Sequence, residues 1–241
     1  GGYVVNGRKV FASQVPAGDV LSTLFTYDDP QDGRRALSMS VPVATEGVEI
    51  VETWDTMGMR GTGSHDVQLT DVFVSDAQVG AVRPWGVIDP PLMTIISHAM
   101  PVISGVYLGI AEGVRDKVLD LVQGTPKADD PLVQRLVGLL DYKTRVARWS
   151  LFSAIAEVGP DPQPSMENVV TCMQAKRAVA EEAVSACDLA LQVTGGSGYF
   201  RSAGIEQAIR DVRGVLFHPL SPETTLLHAG KVALGLPADE F

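Results

Sequence analysis

The sequence predicts an α+β protein, with an incomplete antiparallel β-barrel domain over residues 1–83 and an up-and-down helical bundle over 84–241. Three observations carry this. Short runs rich in β-branched residues, separated by turn residues, fill the first third of the chain. Pro84, Gly86, Pro90 and Pro91 then break any regular period. Beyond them apolar residues recur at helical spacing in long segments.

In order, Tyr3-Val4-Val5 and Lys9-Val10-Phe11 flank Asn6-Gly7, a pair that tolerates the positive φ of a tight type I′ turn, so a hairpin is expected there. Further strands are expected over 20–27, 35–43, 48–52 and 66–74. Asp28-Asp29-Pro30-Gln31-Asp32-Gly33, then Glu46-Gly47, then Gly61-Thr62-Gly63-Ser64 supply the turn chemistry between them. From Val102 through Ile103, Val106, Ile110, Val114, Val118, Leu121 and Val122 one helical face is apolar, ending at Gly124. A second helix is expected over 131–158 and a third over 165–193, joined by the Pro-rich turn 159–164. The last helix opens at Ser221-Pro222-Glu223, an N-cap, an N1 proline and an acid facing the helix dipole. Three long helices with broad apolar faces imply a bundle completed by another subunit.

At 241 residues and 45% hydrophobic content the chain can bury a sizeable core. A net charge of −10 and a pI near 4.8 argue against a nucleic-acid partner, because Lys and Arg are outnumbered by carboxylates. No uninterrupted apolar run approaches the ~20 residues of a bilayer span, and no signal-peptide pattern opens the chain. A cytoplasmic protein with no membrane partner is therefore expected. Gly1-Gly2 directly before a strand suggests a chain that begins mid-domain. Cys172 and Cys187 fall in one expected helix, roughly 22 Å apart at ~1.5 Å per residue, too far for a disulfide. Free thiols fit a reducing compartment.

The four histidines, His65, His98, His218 and His228, are scattered without ligand spacing, so no metal site is expected. No nucleophile elbow, P-loop or dinucleotide fingerprint occurs. One stretch does carry a pattern: Gln192-Val193-Thr194-Gly195-Gly196-Ser197-Gly198-Tyr199-Phe200-Arg201, leading to Arg210-Asp211. From its residues alone it reads either as a helix C-cap and turn or as a ligand loop whose bare backbone admits a partner.

That stretch resembles the Q-x-x-G-G-x-G-Y…R-D signature of the acyl-CoA dehydrogenase superfamily. Two upstream segments resemble the same family's β-domain: residues 2–13, and Met57-Gly58-Met59-Arg60-Gly61-Thr62-Gly63-Ser64-His65 with Asp71-Val72-Phe73-Val74. The resemblance covers the whole chain but only the later part of the family's architecture, with no counterpart of its N-terminal helical domain. It implies a flavin enzyme that uses FAD, with FMN as the alternative, in a homotetramer or dimer whose flavin sites are shared between subunits. It further implies that Phe11 packs against the isoalloxazine and that Ser13 lies beside its redox-active edge. Gln192, Gly195 and Gly196 match positions that contact the flavin's adenosine and pyrophosphate portion in a neighbouring subunit, and Ser221 takes the place of a family threonine at a helix N-cap.

The departures from the family pattern matter as much. The family's dehydrogenases need a carboxylate base to remove the α-proton of an acyl-CoA. Ungapped alignment from Arg210-Asp211 puts Pro219 at one position of that base, and the other falls on Ala99. Only a register shifted by four residues offers Glu223. The expected pyrophosphate-gripping arginine is missing from 121–127. His218 instead follows the Arg-Asp pair by seven residues, which resembles the branch that runs flavin-dependent monooxygenation on small molecules with reduced flavin from a partner reductase. A histidine there can hydrogen-bond the oxygen-bearing flavin or deprotonate a phenol or amine. A monooxygenase-like reaction with His218 as the catalytic residue is the expectation; acyl-CoA dehydrogenation through Glu223, and a non-catalytic subunit, are its rivals.

Overall fold

In the computed structural model, which describes residues 1–240, the chain divides into two compact units, Gly1–Asp89 and Pro90–Glu240. The first holds the strands β1 Gly2–Lys9, β2 Val20–Asp29, β3 Gly33–Pro42, β4 Val48–Val51, β5 Asp66–Ser75 and β6 Val79–Pro84. They form two antiparallel three-stranded sheets, ordered β1-β5-β4 and β2-β3-β6, around a shared core that includes Val5, Leu21, Met39, Val41, Val67 and Val74. β6 was not expected from the sequence. It pairs with β3, and the Arg83–Asp89 ion pair at 3.2 Å holds the following loop to the same unit.

The Asn6-Gly7 hairpin is corrected: β1 runs straight through it and pairs along its length with β5. The register shifts there because β5 carries one extra residue, so Gly7 faces Leu69 while Val5 faces Val72. Asp71 takes the positive φ, 51°, that the sequence suggested for the pair opposite it. Asn6 and Asp71 lock this bulge: Asn6 Nδ2 donates to Asp71 Oδ1 at 2.9 Å, and Asp71 N donates to Asn6 Oδ1 at 2.8 Å. The bulge shifts the alternation by one, so that both Val67/Leu69 and Val72/Val74 face the core. The true hairpin joins β2 to β3, where the Asp29 carboxylate accepts from the Gln31 and Asp32 amides at 2.8 and 3.0 Å.

The second unit consists of α1 Pro90–Val122, α2 Pro131–Val158, α3 Met166–Thr194, α4 Ile205–Val212 and α5 Pro222–Ala233. α3 packs against all four others. Its faces are lined by small residues, among them Ala175, Ala180, Ala183, Ala186 and Ala190, which let neighbouring helices approach closely. Asp130 and Ser165 cap α2 and α3 by accepting from Leu132 N and Asn168 N.

α1 starts well before the expected 102, because Pro90 and Pro91 occupy first-turn positions where a missing N–H costs nothing. Pro101 lies inside it and leaves the Ser97 carbonyl without its usual amide. The Cys172 thiol of α3 donates to that carbonyl at 3.5 Å. Burial pushes this thiol up to about 11, so it stays protonated as the donor. By length and composition α1 is apolar enough to cross a membrane, contrary to the reading of its sequence. Up to Ala111 only Ser, Gly, Thr and His interrupt its apolar residues; Glu112, Arg115, Asp116, Lys117 and Asp120 follow in its last third. In this fold it is a bundle helix, burying Met100, Tyr107, Leu108, Ala111, Val114 and Val118.

Leu140 of α2 is fully buried in the bundle core. Leu140→Ala should lower unfolding free energy by about 2–5 kcal/mol through lost burial and the cavity left behind, measured by chemical denaturation.

Candidate functional site

In the sheet unit the expected flavin contacts sit on an irregular segment rather than on a strand. β1 ends at Lys9, and Phe11 and Gln14 adopt φ of 57° and 64°. Met59, with φ 54°, opens the facing loop. Among the described residues these are three of the four non-glycine positions at positive φ, a cost that the surroundings must over-determine. Backbone bonds supply part of that: Ala12 N donates to His65 O at 3.0 Å, and Gln14 N to Thr62 O at 2.8 Å.

The result is an open depression of about 510 Å³, lined among others by Lys9, Phe11, Ser13, Val15, Leu21 and Thr23. The Phe11 ring is 69% exposed and meets the Trp54 ring edge-on at 6.0 Å. Ser13 Oγ lies 2.9 Å from the buried Ser64 Oγ, which lies 2.7 Å from Thr62 Oγ1. Trp54 Nε1 donates to Met59 O at 3.1 Å. The His65 Nδ1 accepts from the Thr53 and Trp54 amides at 3.0 and 3.1 Å, which leaves its ring proton on Nε2.

In the helical unit the glycine stretch closes α3. Gly195 takes φ 58° and donates its amide to Leu191 O, so the C-cap reading is realised. The orphaned Thr194 carbonyl accepts from Lys127 Nζ and Ser197 Oγ, each at 2.8 Å. Gln192, Gly195 and Gly196 are all exposed, and a Cβ on Gly195 or Gly196 would meet open space. Gly198 differs: it is buried, and a Cβ there would overlap Thr194 Oγ1. Gly198 is thus the glycine that packing requires, while Gly195 and Gly196 leave backbone bare to the outside.

His218 lies in the loop between α4 and α5. Its ring is half-buried and meets the Tyr107 ring of α1 at 5.7 Å and 66°. Its carbonyl and that of Leu220 accept from Lys176 Nζ at 2.5 and 3.0 Å. Lys176 is 5% exposed, and burial lowers its pKa. Burial, and then the Lys176 charge, hold the His218 imidazole below its ordinary 6.5, which favours the neutral base. Burial and the Asp211 charge push the Tyr107 phenol up to about 12. Ser221 caps α5, accepting from Thr224 N at 3.2 Å, and Glu223 is exposed in that first turn.

His218 and Ser221 therefore share one loop, while Gln192 in the last turn of α3 lies next to Gly195 and Gly196 in another. Lys176 and Gln192 stand roughly 24 Å apart along α3 at ~1.5 Å per residue, so the two loops lie toward opposite ends of one helix. Lys176 and Tyr107 were not singled out from sequence, and Ser64, Thr62 and Gly198 stood there only as members of longer motifs. Lys176 carried a signal, because it falls at i+3 and i+4 from Met173 and Cys172 on the apolar stripe.

Gly198→Ala should destabilise the chain by about 1–3 kcal/mol through overpacking against Thr194, while Gly196→Ala should lie within about 1 kcal/mol of wild type. Paired thermal denaturation curves check the ranking.

The family described as "Acyl-CoA dehydrogenase, C-terminal domain" matches residues 92–217, more than half of the chain. YdbM of Bacillus subtilis (strain 168), named as an acyl-CoA dehydrogenase, is 29% identical over 227 residues, which is 91% of this chain and 57% of that protein. Indole-3-acetate monooxygenase of Pseudomonas putida is 28% identical over 253 residues, 98% of this chain and 63% of that protein. The X-ray structure of KijD3 with FMN and dTDP-3-amino-2,3,6-trideoxy-4-keto-3-methyl-D-glucose superposes with a TM-score of 0.91 at 23% identity, over 99% of this chain and 61% of that one, and so shows the shared fold. The chain spans about six-tenths of the length of each of these proteins. With a family match across its helical unit and a fold shared end to end, the chain belongs to the acyl-CoA dehydrogenase family through its C-terminal domain.

Proposed function

We propose that this chain forms part of a flavin-dependent, monooxygenase-like oxidoreductase that acts on a small organic molecule and receives reduced flavin from a partner reductase. One contrast carries the reading. His218 is half-buried with its imidazole biased toward the neutral base, whereas Glu223 is exposed in the first turn of α5, where the helix dipole already accounts for an acid. A neutral imidazole suits a phenol or amine proton better than the α-proton chemistry of an acyl-CoA. The name of the Pseudomonas putida relative, a monooxygenase, points the same way, and that of the Bacillus subtilis relative supports acyl-CoA dehydrogenation as the rival.

The residues present fit a flavin, FAD or FMN. Phe11 offers an exposed ring beside the depression, Ser13 a hydroxyl, and Gly195 and Gly196 a backbone open to close approach. When bound, the flavin supplies the electrons that activate oxygen. Lys176 holds the His218 backbone, and the Tyr107 ring limits where the imidazole can turn. His218 then accepts a proton from the substrate at an imidazole nitrogen. Gln192 and Ser221 are proposed as further flavin contacts at their two loops. Exposed Trp149, Phe152 and Ile155 on α2 and Ile95 and Val102 on α1 support a homo-oligomer, dimer or tetramer, with shared flavin sites. The free, buried Cys172 and Cys187 support a reducing, cytoplasmic setting.

Absorption and turnover discriminate the readings. The protein should oxygenate substrate only with added reduced flavin and oxygen. Anaerobic bleaching of bound flavin by an acyl-CoA would establish the dehydrogenase instead, and failure to bind any flavin would establish a non-catalytic chain.

His218→Ala should cut turnover by roughly a hundredfold or more and Glu223→Gln should cost little; the reverse ranking returns the base to Glu223. Because the His218 pKa is lowered, the neutral base persists to more acid pH, so the acid limb of kcat/KM should fall below 6.5. Lys176→Met removes the smaller of the two causes and should move that limb upward. Light scattering should give a dimer or tetramer.

A further inference from the structure

Asn6-Gly7, which β1 absorbs without a turn, keeps a chemistry of its own. An asparagine side chain before a glycine is open to attack by the next amide nitrogen, because glycine has no Cβ to shield it. Both residues are exposed, and a Cβ on Gly7 would meet no atom within 4 Å, so no packed neighbour covers the pair.

What restrains the pair is the lock on the bulge. Asn6 Nδ2 donates to Asp71 Oδ1 at 2.9 Å and Asn6 Oδ1 accepts from Asp71 N at 2.8 Å, so the side-chain amide is held by both of its polar atoms against β5. The Gly7 carbonyl accepts from Gln68 Nε2 at 3.2 Å and Arg8 pairs with Asp66 at 2.7 Å, which keeps the chain after Asn6 extended along β5. In an antiparallel strand ψ lies at about 135°, which turns the next nitrogen well away from the side chain's Cγ. Closing a ring between them requires that angle to swing round, and it cannot do so until β1 parts from β5.

We propose that Asn6 is a deamidation site held shut by Asp71, and that the reaction destroys the lock that restrains it. Once β1 opens, the Gly7 nitrogen gives up its proton and bonds to Asn6 Cγ; the Cγ–Nδ2 bond breaks and ammonia leaves with that proton. Water then opens the cyclic imide, at Cγ to give an aspartate or at the main-chain carbonyl to give an isoaspartate. In sum water replaces ammonia and nothing is oxidised. Neither product can restore the lock. Aspartate sets a carboxylate oxygen where Nδ2 had donated, 2.9 Å from Asp71 Oδ1, with like charges face to face. Isoaspartate adds one carbon to the main chain and shifts the pairing that follows, Gly7 with Leu69 and Lys9 with Val67. β1 leads directly into Phe11 and Ser13, so the change reaches the segment that lines the depression.

The test is incubation of the full chain in mildly alkaline buffer, with and without urea, followed by mass spectrometry of the tryptic peptide ending at Arg8 for the mass gain of an amide turned to an acid. Wild type should deamidate at least about tenfold more slowly folded than in urea, because reaction waits on local opening. Asp71→Gly removes the carboxylate without strain at φ 51° and should raise the folded rate at least about threefold, the scale of one hydrogen bond lost. Asn6→Asp makes one product directly and should speed hydrogen exchange of the β1 amides about tenfold. Adding Asp71→Asn exchanges donor and acceptor across the same gap and should return exchange to the wild-type rate. If Asn6→Asp fails to fold by circular dichroism, folding of the double variant carries the same result; if Asp71→Gly fails, the wild-type ratio decides. Equal rates folded and in urea, no reaction in urea, or an unmoved rate in folded Asp71→Gly overturns the gated site. Unchanged exchange in Asn6→Asp, or no recovery in the double variant, overturns the loss of the lock.

Discussion

The helical unit is organised by what α3 must satisfy once it is surrounded. Packed against α1, α2, α4 and α5 through small side chains, it leaves little room for water on its buried faces, so each polar atom buried there needs a partner. Two of its demands are met by loops, one from its first half and one from its last residue. The Lys176 ammonium is met by the carbonyls of His218 and Leu220, and the last carbonyl, on Thr194, by Lys127 and Ser197. Those partners lie in or beside the two loops that carry the candidate functional residues. The loops thus take their shape from the need to satisfy a buried helix, and the chemistry proposed for them is laid over that scaffold.

The same logic appears in the sheet unit at smaller scale. A bulge at Asp71 keeps two halves of β5 facing one core, and Asn6 pins it with two hydrogen bonds. The segment from Phe11 to Gln14 accepts unfavourable φ values because its amides pair with the loop through Thr62 and His65. At that segment the exposed Phe11 ring and the Ser13 hydroxyl depend on neighbours, Trp54 and the buried Ser64, contributed by the facing loop.

Much of this was legible in the sequence, and the failures have physical causes. The helices at 131–158 and 166–194 show their period and caps openly, because an amphipathic face repeats many times. Asn6-Gly7 misled because a tight turn and a strand opposite a bulge ask for similar local tolerance, and only the long-range pairing with β5 decides between them. β6 was hidden by Gly80 and Pro84 in a short edge strand. The start of α1 was hidden by three prolines, Pro90 and Pro91 tolerated in the first turn and Pro101 inside the helix, where the Cys172 thiol takes up the freed carbonyl. At the candidate site the glycine stretch and His218 stood out, but sequence could not tell that Gly198 answers to packing while Gly195 and Gly196 do not. Nor could it show the hydroxyl series from Ser13 to Thr62, whose members are separated by some fifty residues.

The apolar character of α1 has a consequence in time. During synthesis α1 is complete at Val122, but α3, which covers much of its buried face, ends at Thr194, roughly 70 residues later. At about 5–20 residues per second that interval is about 4–14 s. For that period the nascent chain presents a long helix whose first two-thirds, up to Ala111, carries no Asp, Glu, Lys or Arg and is long and apolar enough to pass for a membrane span. Whatever shields nascent apolar segments in the cell has its main work on this protein in that window, and synthesis that slows between α1 and α3 lengthens the exposure in proportion.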